Sequence, residues 1–284
     1  MNKTIWTDEK IIDLYNKEYI GQHKGCPFLS KKYGFYVYDQ FKKLNLPLRN
    51  DKDKNKKYYC NSSFFKELNT EEKAYWFGFI LGDGYISSSS KSSNKLGISL
   101  QDCDYEHLLK FNKAIQGNYP IKHYLTTNGY KINSPYCRIV IVDDNITNDL
   151  ISHGCIKNKT NKIKPPENLD YKLRRHFIRG YLDANGCISI SKGKSYSIKI
   201  TGTNEILNWI MNHLIEEKIL SHSYHFYKRK EDQIVSNFEF GGNYLSLKFL
   251  NYIYEDATVW LDRKHDRYLS LKKKIENRRD ERMA

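Results

Sequence analysis

Asp83 and Asn185 lie 102 residues apart, and each stands directly before a glycine. Each ends an apolar stretch, "YWFGFILGDGY" at 75–85 and "FIRGYLDANGC" at 177–187. The pair offers a carboxylate and an amide oxygen. The formal net charge of +14 sets an anion as what they would meet, and nucleic acid is the usual one because each cation on a phosphate releases counterions. Further candidates for chemistry are the lysines of "KNKTNKIKPP" and the basic residues of "LDRKHDRY".

Small residues recur at a spacing of four in both stretches: Gly78 and Gly82 in the first, Gly180 and Ala184 in the second. On a helix, positions four apart share one face, and small side chains there let two backbones approach closely. Trp76, Phe77, Phe79, Ile80 and Leu81, with Phe177, Ile178, Tyr181 and Leu182, are left to pack into two separate cores. Two such helices crossing side by side would bring Asp83 and Asn185 together where each helix gives way to a strand.

The elements after the two stretches repeat as well. "YISSSS" and "GISLQ" match "CISISK" and "SIKIT" as alternating strands. Ile86 aligns with Ile188, and Ile98 with Ile198, which makes the first hairpin two residues longer. Helical "YEHLLKFNKAI" and "NEILNWIMNHLIEE" follow, then further strands ("YCRIVIV"; "SNFEFGG") and helices ("NDLISHG"; "YLSLKFLNYIY"). The fold class expected is α+β: two pseudo-symmetric αββαββα halves, at 64–165 and 166–284, with antiparallel sheets on one side and helices on the other. Residues 1–50 read as a helical lobe of helix-turn-helix type, with Thr7 as an N-cap and a turn at Gly34; 51–63 read as a charged linker. The tail "LKKKIENRRDERMA" reads as an exposed charged helix.

The longest apolar run, Tyr75 to Leu81, is too short to span a bilayer, and the N-terminus lacks the apolar core of a signal peptide, so a cytosolic protein is expected. The six cysteines (26, 60, 103, 137, 155, 187) form no C-x-x-C pair, which argues against zinc fingers and a disulfide framework.

"WFGFILGDG" (76–84) and "IRGYLDANG" (178–186) resemble the motif of the LAGLIDADG homing endonucleases over all nine positions, in a single-chain, two-motif arrangement. The resemblance implies a monomeric, site-specific DNA endonuclease of a phage, bacterium or mobile element, acting on a long, roughly pseudo-palindromic duplex with the sheets forming a saddle. In the family the acidic residue of each motif binds a divalent metal, usually Mg²⁺ (Mn²⁺ or Ca²⁺ can substitute), at a scissile phosphate. Those positions are Asp83 and Asn185, and the preceding residues of the same turns, Gly82 and Ala184, are counted in the expected metal sites with them. A basic residue near each metal is also implied: Lys162, with Lys159 as runner-up, and Lys264, with Arg263 as runner-up. Asp183, two residues before Asn185, is assigned a structural role.

The amide at 185 leaves three outcomes open: preferential cutting of one strand, binding without cutting, or full activity supported by Asp83. A non-cleaving DNA-binding regulator and an RNA maturase are the other functions compatible with the chain. For reading DNA, the polar sides of the hairpins supply Ser87, Ser89, Ser99, Gln101, Ser189, Ser191, Lys199 and Thr201. The basic loops supply Lys192, Lys194, Lys228 and Arg229.

Overall fold

The structure is a computed structural model, and it describes residues 6–21, 24–46, 48, 57–89, 92–127, 132–156, 159, 162–191, 195–228 and 235–283. The chain divides into two compact units, residues 1–60 with 116–118, and residues 61–115 with 119–284. The expected linker is thus split at Cys60. Tyr59 and Asn118 explain the split, since Tyr59 N donates to Asn118 Oδ1 at 2.8 Å and Asn118 N to Tyr59 O at 3.2 Å.

The smaller unit is helical. Helix α1 (Asp8–Leu14) starts on Thr7, whose hydroxyl accepts from Lys10 N, and continues as a wider π-helical segment to Gly21. Helices α2 (Cys26–Tyr33) and α3 (Val37–Lys43) are joined through Gly34, whose φ of 74° suits a residue without Cβ. Ile11, Leu14, Tyr15, Tyr19, Leu29, Val37 and Phe41 form its core.

The larger unit is built on α4 (Glu71–Asp83) and α7 (Arg174–Asn185). Thr70 caps α4 by accepting from Lys73 N, and Glu71 and Glu72 complement its N-terminal dipole. Every residue from Ala74 to Leu81 is buried, as a helix apolar all round must be.

In the first half, strands β1 (Gly84–Ser89) and β2 (Ser92–Gln101), helix α5 (Tyr105–Ala114), strands β3 (Ile121–Leu125) and β4 (Pro135–Val142) and helix α6 (Asp144–Ser152) follow α4. The sheet is antiparallel, in the order β1-β2-β4-β3. In the second half, β5 (Gly186–Ile190), β6 (Tyr196–Gly202), α8 (Asn204–Glu216), β7 (Ser236–Gly241) and α9 (Asn243–Tyr254) follow α7, with sheet order β5-β6-β7. Among the described residues, the expected fourth strand of this sheet is reduced to a single bridge between Tyr227 and Asn237. The sheets bury Ile86, Leu96, Ile98 and Ile139 in one half, and Ile188, Ile198, Ile200 and Phe238 in the other.

Two expectations are corrected. Gly84 pairs with Ile98 and Gly186 with Ile200, so the repeat of 102 holds from the start of one strand to its partner in both hairpins and the first is not longer, although its register shifts between Ser87 and Ser89. Strand side chains alternate with period two, so a two-residue slip leaves the apolar pattern in phase and is invisible in sequence. The tail is also not simply exposed. Helix α10 (Asp262–Met283) buries Lys264, Tyr268, Leu271 and Ile275, a stripe at spacings of four and three.

Candidate active centre at the paired helix ends

Helices α4 and α7 pack more intimately than any other two helices of the chain. A Cβ on Gly78 would stand 2.3 Å from the Phe177 carbonyl oxygen, and one on Gly180 would stand 2.0 Å from that of Tyr75. Both contacts are far below van der Waals distance, so these positions accept only glycine without a backbone shift. Lower down, Gly82 faces Ala184: a Cβ on Gly82 would lie 2.3 Å from that of Ala184 and 3.4 Å from Asn185 Cγ. The crossing therefore brings the two motif ends side by side, as the small-residue spacing requires.

The two ends differ chemically. Asp83 opens to solvent. Protein packed on its inner side lifts its carboxyl pKa above the ordinary value by desolvation, against the opposing pull of Lys264, Lys159 and Arg263. Asn185 is half-buried, and its side chain lies beside the Tyr181 hydroxyl. That hydroxyl donates its proton to Thr201 O at 3.1 Å, so toward the Asn185 amide it can act only as an acceptor.

Lysine placement reverses the sequence-based order in the first half. Lys159 is buried and its Nζ donates to Gly82 O at 2.9 Å, while Lys162 is exposed. Burial lowers the Lys159 pKa, and the neighbouring Cys155 and Asp83 oppose that shift. The Gly82 carbonyl, expected in the metal-binding turn, is thus the acceptor for Lys159. In the second half Lys264 is buried and donates to the carbonyls of Leu182 (2.6 Å), Asp183 (2.6 Å) and Gly186 (2.7 Å). All three ammonium protons are directed at the last turn of α7. Burial pushes its pKa down to about 8. Arg263 turns away to a two-point contact with Asp104, Nε to both carboxylate oxygens at 3.0 Å.

Asp183 is fully buried and structural, as its place on another helical face suggested. Its carboxylate accepts from Tyr75 (2.8 Å), Tyr254 (2.6 Å) and the Leu261 backbone N–H (2.8 Å). Desolvation raises its pKa against these donors and Lys264. Sequence reading missed Tyr181, Asp104 and this carboxylate cluster, because their partners come from distant segments with no common spacing.

Among the described residues no group of three or more His, Cys, Asp or Glu side chains could hold a metal ion. What the helix ends present is an all-oxygen set of one carboxylate and one amide. That set fits Mg²⁺, which takes few protein oxygens and fills its shell with phosphate oxygens and water.

Of the sheet residues, Ser87 and Gln101 are exposed and Ser99, Ser189, Lys199 and Thr201 are half-buried on the side away from the core. Several are already committed: Ser189 pairs with Ser197 (2.7 Å) and Thr201 donates to Asn237 (2.9 Å). Ser191 and Lys228 are exposed. Lys192, Lys194, Arg229 and the Ser89 side chain lie outside the described residues.

No family model matches the chain, and no curated protein does. Among solved structures, it is similar to the homing endonuclease I-WcaI bound to its DNA recognition sequence, at 19% identity and TM-score 0.47, over 75% of this chain and 92% of that one. It is also similar to the N-terminal LAGLIDADG domain of DUF199/WhiA (18%, TM-score 0.43, covering 73% and 95%). A third is the I-LtrWI LAGLIDADG homing endonuclease bound to target DNA (13%, TM-score 0.43, covering 75% and 91%). By its own paired motifs, "WFGFILGDG" and "IRGYLDANG", and by the helix crossing they form, this chain has the two-motif LAGLIDADG fold.

Proposed function

We propose that the chain is a site-specific, Mg²⁺-dependent DNA endonuclease that cuts one strand in preference to the other, at the centre headed by Asp83. The observation that carries this reading is the apposition of one carboxylate and one amide at the ends of two glycine-locked helices, each with a buried lysine on its last turn. Two oxygen-bearing side chains held side by side can serve phosphates facing each other across a minor groove about 6 Å wide.

Asp83 and the side-chain oxygen of Asn185, with phosphate oxygens and water, would hold the divalent ion. Bound there, the ion would supply a Lewis acid for the developing charge and a more acidic water. Asp83 must be ionised to take part, and its raised pKa sets the acid limit of the reaction. The Lys159 ammonium, fixed on Gly82 O, places positive charge beside the Asp83 centre where the phosphorane charge develops. Lys264 acts differently: its donors are taken up by carbonyls, so it fixes the turn that aims Asn185. An amide carries no charge, so the second centre binds a cation more weakly than the first. The outer faces of both sheets and the basic loops contact the duplex, and the helical lobe, with Lys31, Lys32, Lys42 and Lys43 in the last turns of α2 and α3, adds a further phosphate contact.

The test is a supercoiled plasmid carrying a duplex selected by binding, incubated with Mg²⁺. Native protein should yield nicked circles, Asp83→Asn no product, and Asn185→Asp linear DNA. Specific binding with no breaks from either the native chain or Asn185→Asp would establish instead a non-cleaving DNA-binding regulator, the reading that the uncharged amide at position 185 favours.

A further inference from the structure

The two sheets place unlike residues at equivalent positions on their outer faces. Ser99 pairs across strands with Arg138, and Thr201 with Asn237, each pair sitting one residue beyond the matched Ile98–Ile139 and Ile200–Phe238 pairs. In the second sheet the pair is closed. The Thr201 hydroxyl donates to Asn237 Oδ1 at 2.9 Å, Asn237 Nδ2 donates to Tyr227 O at 3.3 Å, and Asn237 is 4% exposed.

In the first sheet the same pair stays open. Arg138 Nε donates to Ser99 Oγ at 2.8 Å and Nη2 reaches the Tyr136 hydroxyl at 3.4 Å. Its guanidinium lies over the rings of Tyr124 and Tyr136, 5.4 Å from each centroid, and those two rings stack on each other at 5.3 Å. Of the five N–H donors of an arginine three are left, two of them on the Nη1–Nη2 edge, beside a shallow depression lined by Thr126, Thr127 and Tyr136. Among the described residues the hydrogen-bond partners of the Arg138 guanidinium are hydroxyls, not carboxylates, and the residue paired with it on the β3 side is another cation, Lys122. A rigid, unneutralised fork is the arrangement that guanine O6 and N7 accept in the major groove.

We infer that Arg138 reads a guanine in the half-site lying on the first sheet, and that the half-site on the second sheet carries no matching requirement, because Asn237 is closed off. The target is thereby asymmetric at this position. Ser99, Tyr124 and Tyr136 act as positioning residues that hold the fork. This inference rests on the DNA-binding reading above and specifies which residue and which base contribute to it.

The test selects binding sites from a randomised duplex library with the full-length native protein, in buffer without divalent metal. Each base of the winning site is then substituted, and affinities are compared for native, Arg138→Gln, Arg138→Lys and Ser99→Ala proteins, with thermal melting of each as a check on folding. Native protein should require G at one position of one half-site only, preferring it by roughly 5- to 150-fold. Arg138→Gln should flatten that position alone, Arg138→Lys should keep overall affinity while losing most of the preference, and Ser99→Ala should weaken the preference partly. Uniform weakening across all sequences would assign Arg138 to a phosphate and overturn the inference. An unchanged base profile in a folded Arg138→Gln protein would overturn it too. If native protein binds no duplex selectively, the DNA-binding reading itself fails and the arginine assignment falls with it.

Discussion

The carbonyl oxygen of Tyr75 occupies the space that a side chain on Gly180 would need, with only 2.0 Å between that oxygen and a Cβ placed there. Helix α7 can lie against α4 at this distance only because residue 180 has no side chain. Asp83 and Asn185 share a location because of this contact and its partner at Gly78.

Gly180→Ala should accordingly destabilise the larger unit by about 1–3 kcal/mol or more, the cost of overpacking a rigid interior. Gly78→Ala should cost a similar amount, whereas alanine at Gly25, whose nearest neighbour would be 3.7 Å away, should cost little. Urea unfolding of the three variants gives the comparison. Equal midpoints would contradict the close crossing.

Lys159 and Lys162 make a second contrast. Lys159→Met should lower plasmid nicking about 10²-fold, the scale for loss of one electrostatic stabiliser, with DNA binding nearly unchanged. Lys162→Met should leave the nicking rate close to native, because that side chain is exposed and away from the Gly82 carbonyl. A larger loss from Lys162→Met than from Lys159→Met would reinstate the order expected from sequence.

Acid stability provides a third check. Burial pushes the pKa of His107 down to about 3 and that of His176 to about 4, the latter helped by the Arg179 charge beside it. Both are neutral in the folded chain and protonate near 6.5 when it unfolds. Between those limits the unfolded chain binds more protons, so stability rises with pH and is lost as pH falls from 6.5 through 4. Each histidine should contribute up to about 3 kcal/mol of this loss. Denaturant melts at pH 7.5 and 4.5 should show a smaller difference for His176→Gln than for the native chain.

Arg179 offers a fourth. It is fully buried and donates to Glu71 (2.7 Å), Val259 O (2.9 Å), Ile253 O (2.8 Å) and, through Nη1, to His176 Nδ1 (2.8 Å). Glu71→Ala leaves that guanidinium without its anion and should cost about 3–5 kcal/mol. Adding Arg179→Met to it should restore part of the loss, since an uncompensated buried charge is worse than none. A double variant less stable than Glu71→Ala would show that the carbonyl contacts of Arg179 matter more than its charge.

The repeat, the helix–strand order of the first half and most of that of the second, and the glycine-lined crossing could be read in the chain, because each is a local pattern: spacing of four for helix faces, spacing of two for strands, glycine where backbones meet. Asp83 and Asn185 came from the same local signals together with the family motif, and Lys264 from the family resemblance alone. Folding decided what periodicity cannot encode. Hairpin register was hidden because a slip of two preserves alternation. The choice of Lys159 over Lys162 depended on which ammonium reaches Gly82 across 77 residues of chain. Asp183 found its donors in Tyr75, Tyr254 and Leu261, and Arg138 found in Tyr124, on a neighbouring strand, the second ring of its aromatic bed, through contacts between segments that sequence order does not link. Local periodicity dictates which elements form and which faces they bury; only the packed chain determines which polar groups are left unspent at the surface.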